Sequence, residues 1–494
     1  MGAGFIGLEV AENLRDRGLD VTVVELAGQV LAPLDPELAV LVADELARHD
    51  VAVRTGTSVT SYADRTVTLA DGTKQMQPSL AEFLKVERDR LRRLLNQLAY
   101  DAHGSQPEAV GTADLPQERL VTGLMRLSDD PDIKPMRLVE YLEQRAGLLV
   151  PRGVEVYTFP HRTFQEYLAA CHLADYRYPN EVARLAREEP GRWREVALLA
   201  GAKAARGTAW ALWSLIEALC YREPGDLAVT GSDEWGALLA GQALAEGADL
   251  SALEPAQQAR LALVRRWLLR LLGSERLPAV ERALAGTTLA ALGDPRFDAA
   301  RWHLPGESLL GFIEVPAGPF LMGEGHKQHT LDLPRFWIGR YPVTVAQWRA
   351  FVEASGYAEA HPASLEGADN HPASEVSWHD ALAYCEWLGV QLRAKAVERV
   401  GRGTVEDDAF WRGLHAGSLR VTLPSEAEWE KAARGTDGRD YPWGPQINPE
   451  RANYDDTGLG TKSAVGIFPG GTSLCGALDM AGNVWEWTRS LYRE

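Results

Sequence analysis

Between Leu423 and Trp487 the chain reads LPSEAEWEKAARG, then YPWG, then ALDMAGNVWEW. Tryptophans and acidic residues are interspersed there with Gly and Pro, and few positions keep a helical or strand period. Such a segment can bury a core only through its side chains. Sparse secondary structure leaves backbone N–H and C=O groups without ladder partners, and buried polar groups must be paired. Glu and Asn side chains are the expected hydrogen-bond hubs, with tryptophans burying large areas and seating their N–H groups on them. On this reading Glu426, Glu428 and Glu486 are structural rather than catalytic.

Two other textures precede this one. Residues 1–74 have α/β character: GAGFIGLEVAENLRDRG is a glycine turn running into a helix, and DVTVVELA is a short buried strand. PELAVLVADELARHD reads as a second helix, followed by strand candidates VAVRTG, VTSYA and TVTLADGT. From about residue 75 to 300 the period is helical. LAEFLKVERDRLRRLLNQLAYDAHG reads as one long amphipathic helix, and the later segments suggest a stacked helical array. Beyond about residue 305, helices are expected at VTVAQWRAFVEASG, SWHDALAYCEWLGVQLRAKA and SEAEWEKAARG, with loops pinned by tryptophan elsewhere.

The composition is that of a globular protein, 46% hydrophobic and 24% charged over 494 residues. A net charge of −18 disfavours non-specific nucleic-acid binding. The most apolar long stretch, Ala197 to Cys220, is interrupted by Lys203 and Arg206, so no membrane insertion is expected. Cys171, Cys220, Cys385 and Cys475 form no CxxC pair and read as reduced, buried thiols of a cytoplasmic protein. The start, MGAGFIGLEV, has no basic region or cleavage site and does not read as a signal peptide.

Gly2, Gly4 and Gly7 form G-x-G-x-x-G, and Glu25 ends the next strand. Such glycines permit the turn, the approach of a pyrophosphate and close helix–strand packing, with phosphate at the helix N-terminus. The block resembles the NAD-binding domain of the pyridine nucleotide–disulfide reductases. That resemblance implies NAD as ligand, with Glu25 on the adenosine ribose. The motif begins at residue 2, without the strand that should precede it, so a non-binding remnant is the expected state of this block.

VYTFPHRTFQEYLAACHLAD, from Val156 to Asp175, resembles the segment that follows the ATPase module of NACHT-type signalling NTPases, which suggests a winged-helix-like element. No G-x-x-x-x-G-K-[ST] occurs, so nothing cradles a triphosphate and ATP hydrolysis is not expected. His161 is expected to be a helix-start histidine packed among Phe159, Phe164 and Tyr167.

The C-terminal part resembles the formylglycine-generating (sulfatase-modifying factor) family. The resemblance rests on His371, Pro372, Trp378, Tyr384 and Trp387, then LPSEAEWE, YPWG and GNVWEW. It implies a C-type-lectin-like α+β fold, in which FIEVPAGPFLMGEG is the opening strand pair. It also implies calcium sites near Asn453 and Tyr454, and near Asn483, Val484 and Glu486. Mixed side-chain and backbone oxygens suit a hard cation, though a solvated acidic loop explains Asp455 and Asp456 equally well. The family's copper-dependent oxidation of a substrate cysteine uses two cysteines placed after GNVWEW. The chain ends at Glu494, so a truncated, catalytically incomplete domain is expected, with copper ligands missing and no catalytic residues assigned.

The expected architecture is thus multidomain α+β. Residues 1–74 form a partial Rossmann fragment, 75–178 a winged-helix-like region, 179–304 a helical repeat region and 305–494 the C-terminal domain. The first functional expectation is a sulfatase-modifying-factor-type protein. A non-enzymatic recognition module with a protein or peptide ligand competes with it, and an oxidoreductase remnant is the third reading.

Overall fold

The computed structural model describes residues 21–30, 36–49, 51–63, 66–71, 84–108, 110–128, 132, 134–135, 149–159, 161–358, 360–402 and 404–491. The chain divides into two compact units, residues 1–211 and 212–494.

In the first unit, β1 (Thr22–Val24) runs parallel to β2 (Ala52–Arg54), and α1 (Pro36–Arg48) packs on β2. A hairpin follows, β3 (Thr57–Ala63) with β4 (Thr66–Asp71). These elements match the α/β texture of the sequence. Of the long helix expected from Leu80, residues 80–83 lie outside the described residues. Leu84 is helical, Lys85 interrupts the helix with a left-handed φ of 52°, and α2 spans Arg88–Ser105.

Next come β5 (Asp114–Pro116), α3 (Gln117–Leu127), β6 (Val150–Gly153), β7 (Val156–Thr158) and α4 (Arg162–Tyr176). The strands form one antiparallel sheet in the order β5-β7-β6. Gln165, wholly buried on α4, ties sheet to helices. Its Oε1 accepts the Ala113 N–H at 2.7 Å, and its Nε2 donates to His103 Nδ1 at 2.9 Å. His103 Nε2 then reaches the Arg192 carbonyl at 3.0 Å, and burial lowers its pKa, so it serves as a neutral relay. His161 does start α4, as expected, but its ring is exposed and accepts the Thr163 N–H as a cap. Helices α5 (Asn180–Glu188) and α6 (Pro190–Gly207) complete the unit, α6 lying on α4 and α5.

Helix α7 (Ala209–Leu219) carries the chain into the second unit, where α8 (Gly231–Gly247), α9 (Pro255–Leu272) and α10 (Ala279–Leu292) pack on one another. α8 is apolar on nearly every side and its central turns are buried, as a helix inside a bundle must be. After two short paired strands, β8 (Phe297–Asp298) and β9 (Leu304–Pro305), come β10 (Phe312–Val315), β11 (Gly318–Met322), β12 (His329–Leu333) and β13 (Phe336–Gly339). The expected opening strand pair is not a pair: β10 joins β13, and β11 joins β12.

Three helices lie where the periodicity puts them: α11 (Val345–Ser355), α12 (Trp378–Arg399) and, after the unforeseen α13 (Val405–Ala416), α14 (Glu426–Arg434). Each of the three opens with a capping box, Thr344/Gln347, Ser377/Asp380 and Ser425/Glu428, so their N-termini are set locally. The apolar faces of α11, α12 and α13 meet in a core of Trp348, Phe351, Tyr384, Leu388, Phe410 and Trp411, and α14 buries Ala432 and Ala433 in a separate cluster.

Trp429 faces the Glu486 carboxyl, but three other tryptophans sit on hydroxyl or carbonyl oxygens instead of acidic hubs. Trp348 donates to Ser364 Oγ at 2.8 Å, Trp378 to the Thr488 carbonyl at 2.9 Å and Trp487 to the Val376 carbonyl at 2.8 Å. Loops with unpaired carbonyls supply better-placed acceptors than side chains that must first be ordered. Glu428 is structural as expected, through its capping box and a 2.9 Å bond from Arg489.

Candidate functional site

The GNVWEW loop is held by its backbone. Gly482 has φ +75°, and a Cβ there would lie 2.3 Å from the Asn453 carbonyl oxygen, so only glycine fits. Asn483, at φ +65°, donates its N–H to that carbonyl at 2.9 Å. Its Oδ1 accepts the Ser463 N–H at 2.9 Å and an Asn453 Nδ2 hydrogen at 3.2 Å. Asn453 also donates to the Thr461 carbonyl at 2.8 Å. The structure thus brings Asn453 and Asn483 together as partners of one another, a clip between two loops. Tyr454 donates its N–H to Thr457 Oγ1 at 3.1 Å, opening a turn on which Asp455 and Asp456 are exposed.

Val484 and Glu486 lie on the other side of that clip. Glu486 is surrounded by protein, yet it lines an open cavity that water reaches. Enclosure pushes its carboxyl up to about 7, and the negative charge of Asp479 adds to the rise. The Trp429 indole opposes it, although Nε1 makes no well-formed hydrogen bond. Asp479 is buried, and its carboxyl is pushed up to about 6 despite a 2.6 Å bond from the Gly466 N–H. The buried Asp479 and the water-exposed Glu486 repel each other, and carboxylate oxygens are the donor type that suits a hard cation. Asp479 was missed in the sequence. It takes a left-handed φ of 60° three residues before Gly482, which no local sequence pattern marks. Among the described residues no group of three or more His, Cys, Asp or Glu side chains is placed to hold a metal.

The cavity, of about 470 Å³, lies between β10, β13, α12 and the loop ending at Arg489. Phe312, Trp337 and Trp487 give it aromatic walls, and the Glu428–Arg489 pair a polar one. Cys385 is in the wall, and burial pushes its thiol up to about 12. Cys475 packs in a separate cluster with Ala432 and Ala433, and donates to the Ala432 carbonyl at 3.4 Å. Copper(I) requires a pair of thiolates. These cysteines do not fit it, and no step is derived through copper.

Gly2, Gly4 and Gly7 lie outside the described residues. Glu25 directly follows β1, and its Oε1 accepts the Ala27 N–H at 3.0 Å, closing its own turn. Among the described residues no helix is long and apolar enough to cross a membrane.

Capped helices, two-stranded sheets and pinned loops around one cavity define a mixed α and β domain whose chemistry rests on its loops. The sulfatase-modifying factor enzyme 1-like domain profile matches residues 303–494. The pyridine nucleotide-disulphide oxidoreductase profile matches residues 1–72, and that of the winged helix-turn-helix domain C-terminal to NACHT residues 69–173. The formylglycine-generating enzyme of Mycobacterium tuberculosis is 33% identical over 226 residues, 36% of this chain and 74% of that protein. The inactive C-alpha-formylglycine-generating enzyme 2 of Mus musculus is 32% identical over 227 residues, 40% of this chain and 70% of that protein. The hercynine oxygenase of Mycolicibacterium smegmatis is 34% identical over 227 residues, 42% of this chain and 51% of that protein. The chain therefore belongs to the formylglycine-generating enzyme family, and spans about half the length of the hercynine oxygenase it matches.

Proposed function

We propose that the C-terminal domain of this chain works as a binding module, taking an extended polypeptide into its cavity, and that Cys385 and Cys475 do not act as a copper-holding thiolate pair. The observation that carries this is Cys385: the thiol in the cavity wall is buried and held protonated, with Cys475 in another cluster. A mouse relative whose name declares it inactive supports a use of this fold without that activity.

The cavity supports a polypeptide ligand in two ways. Its aromatic walls suit apolar side chains, and β10 and β13 form a sheet of only two strands, whose outer edges can take an added strand. A hard cation such as calcium would be held by Asp479, Glu486 and the Val484 carbonyl. It would neutralise the two carboxylates and fix the GNVWEW loop beside the cavity.

Two measurements test the reading. Anaerobic copper(I) titration against a chelator is expected to show no tight stoichiometric binding, and tight binding through Cys385 would overturn the proposal. Peptides selected from a random library on the full chain are expected to lose binding when Ala373→Trp fills the cavity. Unchanged binding by that variant would place the ligand elsewhere and end the reading.

A further inference from the structure

The first unit contains a second cleft, of about 590 Å³, unrelated to the C-terminal cavity. Helix α2 gives it one wall. Arg90, Arg93, Gln97 and Tyr100 recur at helical spacing and so share a face. The end of α4 gives the other, with His172, Tyr176 and then Arg177.

Its rings form a ladder. Tyr100 stacks on His172 with centroids 4.8 Å apart and planes 23° apart, and His172 lies 5.2 Å from Tyr176, whose ring is tilted by 40° and leaves its outer face open. The ladder is open at the Tyr176 end, where that residue is 58% exposed. Burial holds the His172 ring below its usual pKa, and its Nδ1 is buried without a hydrogen-bond partner. A ladder of flat rings with one open end has the geometry for another flat ring.

The charge around it is positive. Arg177 lies over Tyr100 at 5.7 Å, and its contact with Glu181 is a loose 3.9 Å. Asp101, the acidic residue of the lining, is already paired with Arg119 at 2.8 Å. A chain carrying net charge −18 repels anions in general, so three arginines gathered around stacked rings single out one kind of anion. Guanidinium groups bind phosphate through planar, paired hydrogen bonds.

We infer that this cleft binds a mononucleotide, its base stacked on Tyr176 and its phosphate held by Arg90, Arg93 and Arg177. The inference does not depend on the function proposed above.

The test is calorimetric titration of the full chain with AMP, alongside ribose 5-phosphate, which lacks the ring, and adenosine, which lacks the charge. AMP is expected to bind at least about tenfold tighter than either. Arg93→Gln and Tyr176→Ala change exposed side chains, and each is expected to weaken AMP about fivefold or more with an unaltered melting curve. No saturable heat with AMP overturns the proposal. So does equal binding of ribose 5-phosphate, which would leave only a patch for anions. Full affinity in both variants would place AMP at another site, the N-terminal glycine turn included, and would also overturn it.

Discussion

Arg282 of α10 donates a 2.8 Å hydrogen bond to the carbonyl of Ile467, joining the helical layer to the loops of the C-terminal domain. The guanidinium is wholly buried, bonds also to the Leu277 and Glu450 carbonyls and the Glu450 carboxylate, and lies over the Phe468 ring. Beside it Gly286 comes so close to Ala464 that a Cβ would lie 2.6 Å from that methyl group. Helix α10 is therefore packed against the loops of the C-terminal domain within one compact unit, residues 212–494.

Arg282→Met should consequently destabilise the second unit by about 2–4 kcal/mol, because the buried Ile467 and Leu277 carbonyls and the partly buried Glu450 carbonyl lose their donor. Urea unfolding followed by tryptophan fluorescence measures it. A change within about 0.5 kcal/mol would mean that helices and loops fold independently.

How far this was legible in the sequence depends on the range of each interaction. Helical periodicity is a local pattern, and it placed three helices of the C-terminal domain; the capping boxes at Thr344, Ser377 and Ser425 set their starts within one turn. Gly482 and Trp487 marked the site. The partners of the tryptophans were not legible, because Trp378 and Trp487 donate to carbonyls more than a hundred residues away in sequence. Asp479 was passed over for a similar reason. Its environment is made by Gly466, Arg296 and Glu486, which no local pattern connects to it.

Gly482→Ala tests the loop. The substitution asks a Cβ to occupy the space of the Asn453 carbonyl at an unfavourable φ, and a loss of about 2–4 kcal/mol is expected. Amide exchange should rise at Asn483, whose N–H is held by that carbonyl. Unchanged protection there would show that the Asn453–Asn483 clip does not order the loop.

Thiol reactivity follows from the cysteine environments. Cys171, Cys220 and Cys385 are buried, while Cys475 is half-buried. Native protein treated with Ellman's reagent should show one fast thiol, removed by Cys475→Ser, with Cys385 slower by orders of magnitude. A fast phase that survives Cys475→Ser would contradict the closed, protonated state of Cys385.

The carboxylate pair makes stability depend on pH in a stated direction. Asp479 and Glu486 titrate near 6 and 7 in the folded chain, above their unfolded values of about 4. Between those limits the native state binds more protons than the unfolded state, so stability falls as pH rises from about 4 to 7. Below that window both states are protonated and this contribution is flat. Calcium held there as proposed would compete with the protons, so its binding should strengthen as pH rises. Millimolar calcium is expected to raise the melting temperature more at about pH 7.5 than at pH 5, flattening the decline. Glu486→Gln should weaken both the decline and the calcium response, because it removes one charge of the pair and one ligand. A melting temperature indifferent to calcium at the higher pH would leave the two carboxylates as a strained pair without a cation.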